Sequence, residues 1–136
     1  MRISSIQVLS FSQFEIAGLD PIEDREIEFQ TQYDLRLFEE TSEIGITSVV
    51  VLKLMKRNVN YAEMKTLVKF KIDPLSSVIR KDSPNSFALP DTLVLNLTTI
   101  VTGTIRGILS ERMKGTVFQN EVFPLVDLNS ILQQQN

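Results

Sequence analysis

The acid pairs Glu23-Asp24, Glu26/Glu28 and Glu39-Glu40 are the side chains whose types and spacing could do chemistry. Two neighbouring carboxylates can share a proton or hold a hard cation. Either use needs convergent partners, and acid runs without them are ordinarily solvated faces. The chain has no Cys and no His, which removes thiol nucleophiles, disulfides, most zinc sites and imidazole acid–base catalysis. Ser76-Ser77 has turn composition and no neighbouring group to activate a hydroxyl. There is no GxGxxG, phosphate loop or nucleophile elbow. These residue types point to a non-enzymatic protein that binds polypeptide, with no cofactor and no metal.

The chain has 136 residues, 43% hydrophobic and 23% charged, enough for one packed domain and too few for two. Met1 to Phe14 is interrupted by Ser4, Ser5, Gln7, Ser10, Ser12 and Gln13, so it has no continuous signal-peptide core. Leu89 to Leu109 is apolar but carries Asp91, Asn96 and Arg106, a poor membrane span. A cytoplasmic protein without membrane insertion is expected. Net charge is −3, yet Glu15 to Glu43 holds ten acids and two bases, whereas Lys53 to Lys81 holds eight bases and two acids. Lys65, Lys69 and Lys71 alternate with apolar residues, so cross-strand charge pairing with the acidic segment is the expectation and nucleic acid is not an expected partner.

In Glu26 to Phe38, Ile27, Phe29, Tyr33, Leu35 and Leu37 alternate with polar residues, the period of a half-buried strand. Ala62 to Ile72 repeats the pattern and stops at Asp73-Pro74. Between them, Ile44 to Met55 is β-branched on both faces, as expected of a central strand covered on two sides. Ile3 to Ile16 is rich in strand formers, but its alternation slips near Ser10 and Ser12, which suggests a bulged or edge strand. Turn residues occur at Gly18-Leu19-Asp20-Pro21, Glu39 to Glu43 and Arg57-Asn58-Val59-Asn60. The last two gaps suit hairpins, so residues 1–73 are expected to form a four-stranded antiparallel meander.

Residues 74–88 form a polar crossover, and Leu89-Pro90-Asp91 opens a long element. As a helix over 89–114, Leu93, Leu97, Ile100, Val101, Ile105, Ile108 and Leu109 make a wide apolar face that ends in Arg112, Lys114 and Gly115. As a strand, Leu93, Leu95 and Leu97 alternate. Length favours the helix. Gly103 and Gly107 lie four apart and would leave a smooth strip, suited either to local packing or to a helix–helix subunit contact. A loop over 115–126 and a short helix over 127–134, capped by Asp127, complete a single α+β domain.

This layout resembles the SecB family of export chaperones and their toxin–antitoxin-associated relatives. The resemblance rests on Arg106-Gly107-Ile108-Leu109, Lys114-Gly115-Thr116, Phe118, Pro124, Val126-Asp127-Leu128 and Ile131-Leu132. The pattern departs from the family at Gln119, where classical members have Pro, and at Leu125, an extra residue. The sequence ends in Gln133-Gln134-Gln135-Asn136, without the Cys/His-rich tail by which classical members contact the translocase motor, so that partner is doubtful. The resemblance implies a homotetramer, a dimer of dimers, that binds unfolded clients or an antitoxin without ATP. A holdase needs exposed apolar surface on adaptable loops. Phe87, Phe118, Phe123, Leu125, Leu128, Ile131 and Leu132 are the client-binding candidates, and Gly103 and Gly107 the subunit-contact candidates. The alternative is a structural module whose apolar surface is filled by its own oligomer.

Overall fold

The computed structural model describes residues 1–83, 86–121 and 123. Strands β1 (Arg2–Gln13), β2 (Ile27–Phe38), β3 (Glu43–Leu54) and β4 (Val59–Lys71) form one antiparallel sheet, and α1 (Asp91–Arg112) covers one of its faces. The architecture is α+β, a four-stranded antiparallel sheet followed by one long helix. The expected short helix over 127–134 lies outside the described residues.

The spatial order is β1-β4-β3-β2, so only β2, β3 and β4 are a meander, and the expected four-strand meander is corrected at β1. Residues 14–26 are too many for a tight hairpin, which closes in two to five. The connection instead carries the chain past the ends of β4 and β3, and β1 takes the far edge, a Greek-key order. The slipped alternation in the first strand corresponds to register shifts between Ile3/Ser5 and Val8/Ser10. One bulged residue at each point keeps Ile3, Val8 and Phe11 opposite Phe70, Thr66 and Met64.

The inward row of β3, Ile44, Ile46, Ser48, Val50, Leu52 and Leu54, is buried, and the same face of β4 adds Met64, Val68 and Phe70. The outward row Thr47, Val49 and Val51 is only half-buried, so β3 is central but covered on one side, not two. The sequence overestimates its cover because alternate β-branched residues of a central strand are partly shielded by neighbouring strands alone. The acidic β2 and basic β4 share the sheet but are not neighbours, because β3 runs between them. The expected pairing of the acidic and basic segments is made elsewhere: Glu28 lies opposite Lys53 and Glu43 opposite Lys71 in register, and Glu23–Lys56, Asp24–Arg57 and Glu39–Lys81 are ion pairs. Outward-facing Lys65 has only Val49 and Ser10 beside it in register.

α1 buries Val94, Leu97, Thr98, Val101, Thr102, Ile105 and Leu109, each large apolar side chain contributing about 1.5–3 kcal/mol on removal from water. This face is rotated from the one expected, leaving Leu93, Ile100 and Ile108 at its partly exposed margin. Thr98 and Thr102 enter the core cheaply because each hydroxyl donates to the carbonyl one turn back, Val94 at 2.8 Å and Thr98 at 2.7 Å. The Tyr33 hydroxyl lies 2.8 Å from Thr102 Oγ1, and burial pushes the Tyr33 phenol above its ordinary pKa. By length and composition α1 is apolar enough to cross a membrane; in this fold its apolar side covers the sheet.

The crossover contains a small hairpin, β5 (Arg80–Ser83) with β6 (Ser86–Ala88), tied to the β2–β3 turn by the Lys81–Glu39 ion pair.

Candidate functional site

Beyond the core under α1, a second apolar cluster occupies the end of the sheet where β1 stops, β2 starts and β3 turns into β4. Leu52, Leu54, Tyr61, Ala62, Met113 and Phe118 are buried in it, with Phe11, Ile16, Leu19, Ile27 and Phe29 packed around them. Met113 arrives on the last turn of α1, and Gly115, at φ +83°, sends the chain back over the sheet. The following turn is fixed by Thr116, whose hydroxyl donates to the Met113 carbonyl at 2.7 Å and accepts from the Phe118 amide at 3.2 Å. Phe118 then meets Tyr61 edge-on, with ring centroids 4.8 Å apart. The Tyr61 carbonyl accepts from the Phe14 amide at 2.8 Å and its hydroxyl from Gln13 at 3.1 Å. Tyr61 thus joins β4, the end of β1 and the post-helix turn.

Two clefts open beside this pair. One, of about 660 Å³, lies between Tyr61 and the chain from Gln13 to Leu19. The other, of about 400 Å³, lies between the C-terminal half of α1, Phe29 and Gln119 to Glu121. In the second, Phe123 stacks edge-on against Phe29 at 5.5 Å, and its carbonyl accepts from Arg106 Nε at 3.0 Å. Large apolar side chains stay exposed at this same end: Ile22 at 73%, Val117 at 48%, Met55 at 43%, Phe14 at 42% and Val59 at 37%. Clustered exposure of this kind is uncommon on a monomer and marks interaction surfaces.

The structure brings Phe118 and Phe123 to this end and buries both, at 4% and 2% exposure. Phe123 is a wall of the smaller cleft, with Phe29 against it, whereas Phe118 lies against Tyr61, which lines the larger one. Phe87, half-buried on β6, is not brought to them; it lies near the start of α1, a rod about 33 Å long. Leu125, Leu128, Ile131 and Leu132 lie outside the described residues. Gly103 and Gly107 are exposed, and a Cβ built at either meets nothing within 4 Å, so no packing inside the protomer requires a glycine there. Phe14, Ile22, Met55, Val59 and Val117 were not singled out by the sequence. Phe14 and Ile22 carried a signal nevertheless, as isolated large apolar residues beside an acidic, turn-rich stretch.

Three carboxylates of the acid pairs are engaged in salt bridges. Glu23 meets Lys56, Glu39 meets Lys81, and Asp24, 1% exposed, accepts from Arg57 at 2.9 Å. The Asp20 amide, together with Arg57 and against the effect of burial, holds the Asp24 carboxyl below its ordinary pKa. Among the described residues no three acids, His or Cys converge as metal ligands. What this end offers is apolar surface, two clefts and backbone.

No family model matches the chain, and no curated protein matches it. Among solved structures it is similar to the Mycobacterium tuberculosis SecB-like chaperone Rv1957, which was solved in complex with a ChAD peptide from the HigA1 antitoxin Rv1956. The TM-score is 0.43 at 11% sequence identity, covering 82% of this chain and 79% of that one. A likeness of that size is one of outline.

Proposed function

We propose that this protein is an ATP-independent chaperone that holds unfolded or extended apolar polypeptide segments at the Tyr61–Phe118 end of its sheet. The observation that carries the reading is the set of five exposed apolar side chains at the end of the sheet where the two clefts open, Phe14 among them lining the larger cleft. Unfolded chains present apolar side chains in no fixed order, so a holdase gains from several separated apolar contacts and not from one shaped pocket. The C-terminal sequence pattern resembling the SecB family supports the same reading. Clients in protein export or an unstable antitoxin are both compatible with it, as is a cytoplasmic setting.

The test is suppression of client aggregation. The wild type is expected to suppress it at near-stoichiometric amounts, and the triple variant Phe14→Ser/Ile22→Ser/Val117→Ser to lose suppression with unchanged circular dichroism and oligomeric size. A triple variant as protective as the wild type would sink the reading.

The assembly-module alternative is favoured by a different observation. Among the described residues β1 has no partner on its outer edge; it exposes Ile3 at 42%, Ile6 at 48% and Leu9 at 47%, and carries one charge, Arg2. Long apolar edges invite another strand, and antiparallel pairing of two β1 strands would give the first step towards a dimer of dimers. Light scattering of Ile6→Lys against wild type tests this. Assembly without aggregation suppression would leave the module reading alone.

A further inference from the structure

The larger cleft takes one wall from an irregular segment, and one side chain holds that segment in place. Ala17 and Leu19 line the cleft, and Ile22, the most exposed of the five apolar side chains, stands on the same loop. Residues 17–24 contain no helix or strand and depend on polar contacts for their shape. Of the contacts that tie this segment to the β3–β4 turn, three run to Arg57 and one, from Glu23, to Lys56. Arg57 Nε donates to Asp24 Oδ1 at 2.9 Å, one Nη to the Ala17 carbonyl at 2.7 Å and the other to the Gly18 carbonyl at 2.5 Å. The second Asp24 oxygen accepts from the Asp20 amide at 2.9 Å, so one guanidinium and one buried carboxylate close a ring around the loop. Inside the ring, Asp20 Oδ1 accepts from the Ile22 amide at 2.9 Å, a turn that leaves the Ile22 side chain pointing into solvent. Gly18, at φ +67°, adopts the left-handed conformation seen at the point where its carbonyl meets Arg57.

We propose that Arg57 is the positioning residue of the polypeptide-binding end: by clipping residues 17–24 to the β3–β4 turn, it fixes the movable wall of the larger cleft before a client arrives. The inference rests on the holdase reading above and deepens it. Arginine suits the task because a planar fork can serve a carboxylate and two carbonyls at once, whereas an ammonium presents a single point charge. A wall fixed in advance spares the client the cost of ordering it. The neighbouring Lys56–Glu23 pair is exposed on both sides and contributes little.

The experiment compares wild type, Arg57→Lys, Arg57→Gln and Asp24→Asn by amide hydrogen exchange and by binding of reduced, carboxymethylated lactalbumin, a soluble and permanently unfolded client. Both Arg57 variants are expected to speed exchange of the residue 17–24 amides by roughly tenfold while the β3 and β4 amides stay unchanged. They are also expected to weaken client binding by roughly fivefold. Arg57→Lys should not rescue either effect, and Asp24→Asn, which leaves the two carbonyl bonds, should fall between. Unchanged loop exchange in every variant overturns the proposal, as does a loosened loop that binds client as tightly as wild type. If the wild type binds no client, the holdase reading falls with it. Wild-type binding with unaffected variants removes the Arg57 proposal alone.

Discussion

Under α1, Ile44, Val68, Phe70, Leu97 and Ile105 are shut off from water. Further along the same sheet Tyr61 and Phe118 are nearly as buried, yet clefts and exposed apolar side chains surround them. The two clusters are built from the same kinds of residue. What differs is the element that closes them: a helix presents a continuous face, whereas turns and a loop leave gaps between their backbones. The comparison teaches that an apolar cluster stays accessible where irregular chain supplies part of its cover.

The sharpest way to break the comparison is truncation within each cluster. Phe70→Ala should cost about 4 kcal/mol and Phe118→Ala about 3 kcal/mol in chemical denaturation, since a site beside open clefts relaxes more easily. A Phe118 variant losing more than its Phe70 counterpart would mean that the open end is the tighter packed. Gly45→Ala comes next. An added Cβ would sit 2.5 Å from the Phe38 ring, and the repacking should cost about 1–3 kcal/mol, read as a lower Tm.

The Asp24 clip should appear in the pH dependence of the open end. Its carboxyl is held below the unfolded value of 3.8. Its contribution is therefore present above about pH 4 and is lost as pH falls through the lower folded value. Asp24→Asn should flatten the acid limb of a stability–pH curve, and an unaltered limb would place the acid sensitivity elsewhere. Smallest of all, Ile22→Ser and Val117→Ser should each change stability by no more than about 0.5 kcal/mol. A larger loss from either would mean that these side chains pack more tightly than their exposure indicates.

The strands were legible where one face is buried, because apolar residues alternate with polar ones through most of Ile27 to Leu37 and Ala62 to Ile72. The helix was legible from its length. Its burial face was not, since Thr98 and Thr102 read as polar until their hydroxyls are seen turned onto the helix's own carbonyls. The place of β1 was illegible for a different reason. Local pattern showed a slipped, edge-like strand, but which edge it joins depends on where the 14–26 connection runs, and that segment has no apolar period. Of the site, Phe118 and Phe123 were singled out as client-binding candidates, and both are buried, Phe118 against Tyr61 and Phe123 against Phe29. Arg57 was read only as turn composition, because its partners Ala17, Gly18 and Asp24 lie more than thirty positions away.

The edge position of β1 also sets a schedule for making the protein. Its partners on β4 lie 49 to 69 positions later in the chain, so β1 leaves the ribosome well before the strand it pairs with. Contacts that distant form slowly. During that interval an apolar stretch with one charge is bare and open to aggregation each time the chain is synthesised.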